Sequence, residues 1–225
     1  MIDKIQASIP EALSVIPDGA TVLVGGFGEA GVPYELLHGL AALGRRDLTI
    51  VANNAGTYEH GVAALLLKGL VRKIICSHPR PPNAEVFARA FRAGEVQLEC
   101  VPQGTLAERL RAGGAGLGPF YTPTGYGTEL AEGKEQKVFD GVGYVLEQPL
   151  RGDFALIKAD AGDRWGNLMY HQAARNFNPV MCMASRHAIA QVREIVPLGS
   201  LEPQSIMTQG IFVQSVVRVG GSHAG

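Results

Sequence analysis

The chain has 225 residues, 46% of them hydrophobic, enough to bury the core of one large domain or two small ones. Its 20 basic and 21 acidic residues leave a net charge of −1 with no basic block, which excludes the electrostatic footprint of a nucleic-acid binder. The longest apolar run, Val62 to Leu67, is far too short to cross a membrane, and the N-terminus lacks the apolar core of a signal peptide.

The first strand reads as TVLVGGF (21–27), ending in bare glycine backbone. The helical spacing of Leu36, Leu37, Leu40 and Leu43 follows, with Pro33 at the first helical position and Gly44 as the stop. LTIVA (48–52) and KIICS (73–77) are the next strands. NAEVFARAFRAG (83–94) predicts a helix capped by Asn83 and stopped at Gly94. After the strand VQLECV (96–101), Thr105 and Glu108 have the spacing of a capping box opening another helix. Strand and helix alternating through short loops imply an α/β fold: an open, mostly parallel sheet flanked by helices. Further on, VFDGVGYVLE (138–147) predicts a hairpin turning near Asp140-Gly141, a small antiparallel appendage. FALIKAD (154–160), AIAQV (188–192) and IFVQSVVRV (211–219) supply more strands. Residues 1–219 read as a single domain and 220–225, GGSHAG, as a flexible tail. Cys76, Cys100 and Cys182 form neither a C-x-x-C pair nor an even disulfide set, so buried thiols in a reducing cytoplasm are expected.

Gly26, Gly28 and Gly31 spell G-x-G-x-x-G, the dinucleotide fingerprint. Such a site also wants an acidic residue ending the second strand, where this chain has Asn53-Asn54. Glu29 would place negative charge in the phosphate cradle, and Pro33 removes a helix N–H donor. A nucleotide-binding regulatory domain is therefore the different-class alternative. Ligands of open α/β sheets bind beyond the carboxyl ends of the strands. Those ends carry Gly25-Gly26-Phe27 with Gly28 beside them, Asn53-Asn54, Ser77-His78-Pro79-Arg80 and Gln103-Gly104-Thr105. Nearly all of these groups donate hydrogen bonds, and none is marked as a nucleophile or general base. Such a crevice suits a carboxylate or a developing oxyanion, but needs a nucleophile from elsewhere. Arg80, in a loop stiffened by Pro79, Pro81 and Pro82, has the planar fork that grips a distal substrate carboxylate. The six histidines lack metal-ligand spacing, so no metal is expected.

PDGATVLVGGFGEAGVP (17–33) resembles the signature of the α subunit of family I coenzyme A transferases. IVANNAG (50–56), VPQGTLAERLRAGGAG (101–116), FYTPTGYGT (120–128) and GNLMYHQAARNFNP (166–179) match that family in the same order. The resemblance implies a CoA-transferase-like fold and a cytoplasmic hetero-oligomer, a heterodimer or heterotetramer. In it, a glutamate of a partner β subunit carries the coenzyme as a glutamyl thioester. It also implies that Gln103 stabilises the oxyanion, that Asn53 positions the reacting groups, and that coenzyme A is a substrate with no bound cofactor. Gly25, Gly26, Phe27, Gly28, Asn54, His78 and Arg80 are the expected substrate-binding residues. KIICSHPRPPNAEVF (73–87) looks most like members acting on 3-oxoadipate with succinyl-CoA, with acetoacetate the alternative 3-oxo acid.

Overall fold

The computed structural model describes residues 2–220, so five residues of the expected tail lie outside the described residues. In chain order the first half contains β1 (Ile5–Gln6), α1 (Ile9–Leu13), β2 (Thr21–Val24), α2 (Tyr34–Leu43), β3 (Leu48–Asn54), α3 (Val62–Leu67), β4 (Val71–His78), α4 (Glu85–Arg92), β5 (Gln97–Cys100) and α5 (Gln103–Ala115). The second half contains β6 (Phe120–Thr122), β7 (Gln136–Phe139), β8 (Val142–Glu147), β9 (Gly152–Gly162), β10 (Leu168–Met169), α6 (Asn178–Ala184), β11 (Ser185–Ile195) and β12 (Ser215–Arg218).

The main sheet runs β1-β12-β11-β9-β2-β3-β4-β5, with every neighbouring pair parallel; β10 adds an antiparallel strip to β9. Consecutive apolar residues of its central strands divide between the two faces, as a pleat with period two requires. Val22, Ile50 and Ile74 pack with Leu13, Leu36, Leu40, Leu65 and Phe87 of the first four helices. Leu23, Val51 and Ile75 turn the other way, toward Leu106 and Leu110 of α5 and Met181 of α6. Strands β6, β8 and β7 form the separate antiparallel sheet. Its hairpin turns at Asp140 and Gly141, both left-handed with φ of 51° and 79°, which matches the twist of paired strands. Among the described residues no helix is long and apolar enough to cross a membrane.

Several local expectations are corrected. Asn83 does not cap α4: Ala84 holds that position, while Asn83 is left-handed (φ 62°) and its carbonyl accepts from the Tyr58 N–H at 2.8 Å. Thr105 is not an N-cap either, because α5 begins two residues earlier, after Pro102. Thr105 is instead buried in the first turn, its hydroxyl without a partner. Pro33 precedes α2 rather than opening it. The apolar run 62–67 is a helix, and only 215–218 of the stretch 211–219 is strand, because Gly210–Phe212 form a 3-10 turn.

A chain of ion pairs ties the small sheet to the large one. Glu99 of β5 accepts from Lys73 of β4 at 2.6 Å and from Arg109 of α5 at 2.8 Å. Arg109 lies 3.9 Å from Glu147 of β8, which is bound by Lys134 at 2.6 Å. Burial alone would raise the Glu99 pKa, but the hydrogen bonds and charges of Lys73 and Arg109 outweigh it and hold the carboxyl below its usual range. Glu99 therefore stays ionised in the fold at pH values where it protonates in the unfolded chain. Its contribution is complete above the unfolded pKa of about 4.3 and is lost as pH falls through the lower folded value. Glu99→Gln is expected to lower stability to urea by about 1–2 kcal/mol at pH 7, and the gap to the parent should narrow as pH drops below about 4. A gap that stays constant down to acid pH would contradict this linkage.

Candidate functional site at the strand ends

The glycine loop leaves β2 with no room for a side chain at Gly25, Gly26 or Gly31. A Cβ on Gly25 would fall on the side-chain oxygen of Asn178, at the start of α6. Gly31 is left-handed (φ 72°), and a Cβ there would meet the Ala174 carbonyl at 2.6 Å and the Asn178 amide nitrogen at 2.8 Å. Asn178 is fully buried and fully used. Its Oδ1 accepts from the Lys158 N–H of β9 at 3.1 Å, while its Nδ2 donates to the carbonyls of Gly31 at 3.1 Å and Ala174 at 2.7 Å. The loop tip is closed by reciprocal backbone bonds between Phe27 and Ala30 at 3.0 and 3.1 Å. Gly25 and Gly31 thus permit close backbone approach to a polar brace, a Cβ on Gly26 would meet Val32 at 2.6 Å, and Gly28 stands in open space with a left-handed φ of 57°.

A second set of bonds ties neighbouring strand ends together. Asn53, 7% exposed, accepts from the Gly28 N–H at 3.4 Å and donates to the Ser77 hydroxyl at 3.2 Å. That hydroxyl donates back to the Asn53 carbonyl at 3.1 Å. Asn54 accepts from the Gly56 N–H at 2.9 Å and braces the turn into α3. Gly25, Gly26, Gly28, Asn53 and Asn54 line one crevice, joined by Tyr34 and His60, which sequence reasoning missed. The Tyr34 hydroxyl donates to the Glu29 carboxylate at the crevice mouth; desolvation, then Glu29, pushes the phenol pKa far above its ordinary value.

Gln103 and Phe27 line a different groove, with Arg111, Arg175, Phe177 and Met183 among its walls. Gln103 is exposed at the first turn of α5, and its amide makes no hydrogen bond among the described residues. No residue lining this groove is a carboxylate, thiol, hydroxyl or imidazole. His78 ends β4 beside Asn54 in register, exposed, and Arg80 lies exposed in the following loop. Neither lines the crevice or the groove. The expected site is therefore brought together in two adjoining parts hinged on the glycine loop, with His78 and Arg80 outside both. Arg175 and Asn176 fall inside GNLMYHQAARNFNP, a stretch whose match to a known pattern carried no chemical assignment. Among the described residues no group of histidines, cysteines and carboxylates could hold a metal ion.

Comparison with known proteins places the chain in a family and its fold among solved structures. The coenzyme A transferase family matches residues 6–219. A 3-oxoadipate CoA-transferase subunit of Pseudomonas putida is 59% identical over 224 residues, covering 100% of this chain and 97% of that one. A succinyl-CoA:3-ketoacid coenzyme A transferase subunit of Xanthomonas campestris is 50% identical, covering 90% of this chain and 83% of its own. Among solved structures, an acyl-CoA transferase of Escherichia coli, determined as a thioester complex with CoA, superposes with a TM-score of 0.82 at 24% identity. It covers 96% of this chain and 47% of that one, so the present chain spans about half its length. Glutaconate coenzyme A-transferase of Acidaminococcus fermentans shares the fold with a TM-score of 0.81 at 18% identity, covering 96% and 76%.

The packing of Gly25 on Asn178 makes a quantitative prediction. Gly25→Ala displaces the Asn178 amide and is expected to destabilise by about 3 kcal/mol. Asn178→Ala leaves the Lys158 N–H and two carbonyls short of a partner and is expected to destabilise by about 2–4 kcal/mol. Because the first change acts by dislodging the second side chain, the double variant should be at least about 1 kcal/mol less destabilised than the sum. Urea unfolding of all four proteins measures the cycle, and strict additivity would show that the two positions do not share one contact.

Proposed function

The chain belongs to the coenzyme A transferase family, and we propose that it is the α subunit of an enzyme moving coenzyme A from succinyl-CoA to 3-oxoadipate. The observation that carries the reading is the groove around Gln103: donors and apolar walls with no nucleophile among its lining residues. The 59% identity with a 3-oxoadipate CoA-transferase chain, against 50% with a succinyl-CoA:3-ketoacid relative, supports 3-oxoadipate over acetoacetate as the acceptor.

In this reading a partner β subunit brings a glutamate to the groove. Its carboxylate attacks the thioester carbonyl, the carbon–sulfur bond breaks, and the coenzyme leaves as a thiolate. The thiolate then adds to the glutamyl carbonyl of the resulting anhydride and releases succinate, leaving the coenzyme on the partner's carboxyl. The acceptor acid repeats the two steps in reverse. Negative charge gathers on the carbonyl oxygen only near each transition state. A neutral amide already in place, that of Gln103, therefore accelerates attack more than it strengthens ground-state binding.

Asn53 acts through others: it bonds the Gly28 N–H and Ser77 and so keeps the glycine loop beside the strand ends. Gly25, Gly26, Gly28 and Asn54 shape the crevice, and Phe27 lines the groove. His78, exposed at the end of β4, and Arg80, exposed in the loop after it, line neither part of the site. In this reading coenzyme A is a substrate, and the reaction uses no metal or resident cofactor. A hetero-oligomer working in the cytoplasm completes the proposal.

Gln103→Ala, assembled with the β subunit, should lose about 10²–10³ in turnover with little change in apparent substrate affinity or melting temperature. The isolated chain should transfer no coenzyme A. Steady-state assay of the reconstituted complex checks both expectations. Near-normal turnover of the variant would remove Gln103 from the reaction, and robust transfer by the single chain would remove the partner's nucleophile.

A further inference from the structure

The groove that contains Gln103 also carries two guanidinium groups, and we infer that one of them, Arg175, binds the carboxylate at the far end of the substrate acyl chain. The inference rests on the transferase reading above and specifies how that site selects its acyl group.

The two arginines differ in what already holds them. Arg111 is paired with Glu108 on its own helix at 3.2 Å, whereas Arg175 makes no ion pair among the described residues. Both line the groove with Gln103 and with the apolar side chains of Ala107, Val180 and Met183. An acyl group with a terminal carboxylate presents three chemistries: a thioester carbonyl, a stretch of methylenes and an anion. The groove offers a neutral donor, an apolar wall and an uncommitted cation, one for each. A guanidinium meets a carboxylate with two parallel hydrogen bonds, so it fixes orientation as well as charge.

The backbone of Arg175 is held in place relative to the rest of the site. The side chain of the next residue, Asn176, donates to the Ala30 carbonyl at 2.9 Å and to the Ala173 carbonyl at 2.6 Å. Asn178 ties the same segment to Gly31 at 3.1 Å. The arginine is thus mounted on the loop that carries Phe27, and its reach into the groove does not depend on a mobile connection. Arg80 has the right chemistry but stands outside both parts of the site, and no bond to the glycine loop holds it.

The test uses the reconstituted two-subunit complex and compares succinyl-CoA, which has a distal carboxylate, with acetoacetyl-CoA, which has none. Arg175→Gln should lower kcat/KM for succinyl-CoA about 10- to 100-fold and leave acetoacetyl-CoA within about twofold, collapsing the selectivity ratio. Arg175→Lys should restore part of that ratio by returning the charge, and Arg80→Ala should leave it unchanged. Equal losses for both donors would mean that Arg175 grips the coenzyme itself or only braces the loop, and would overturn the inference. So would unaltered kinetics, or a selective loss in Arg80→Ala in place of Arg175→Gln. If the parent complex transfers coenzyme A normally while Arg175→Gln is indifferent, this inference alone fails. If the parent complex moves no coenzyme A between acids, the transferase reading fails and takes the inference with it.

Discussion

One buried amide organises the working end of this protein. Asn178 satisfies a strand N–H of Lys158 and the carbonyls of Gly31 and Ala174, and it does so in space that a side chain on Gly25 would occupy. A buried amide with fewer partners would carry a desolvation cost, so its bonds stand or fall together. Through them the first α/β loop, the central strand β9 and the segment before α6 become one rigid unit. The placement of Phe27, Gln103's neighbour in the groove, and of Arg175 follows from that unit.

The groove beside this unit offers donors, the Gln103 amide and two guanidinium groups, and its lining holds no carboxylate, thiol, hydroxyl or imidazole. The carboxylate within the glycine loop, Glu29, is engaged by the Tyr34 hydroxyl. Donors alone stabilise charge without generating it, which is consistent with a chain that receives its nucleophile from a partner. The Pseudomonas putida relative is itself named as a subunit, and this chain covers 97% of it.

Much of the architecture was legible from periodicity. The β-branched runs and the leucine spacing of 36–43 located the parallel strands and their helices, because burial on both sheet faces leaves a continuous apolar signature. Helix starts were less legible. Thr105 and Glu108 satisfy a capping pattern, yet α5 begins at Gln103, because Pro102 ends the extended chain and Thr105 is drawn into the core. That shift matters for the site: Gln103 belongs to the first helical turn, not to a loop before it. The strand-end rule named the glycine loop, Asn53, Asn54 and Gln103, but could not see that they divide between a crevice and a groove. Arg175 and Asn178 follow no strand of the first half, and only the crossing of α6 over the sheet brings them to the loop.

The proposed reaction turns on where the coenzyme is held between donor and acceptor. The most direct measurement is intact-mass spectrometry of the reconstituted complex after incubation with succinyl-CoA and no acceptor. The partner chain should gain the mass of one coenzyme A less one water, the signature of a carboxyl converted to a thioester, while this chain keeps its mass. A coenzyme adduct on this chain, with the partner unmodified, would contradict the account.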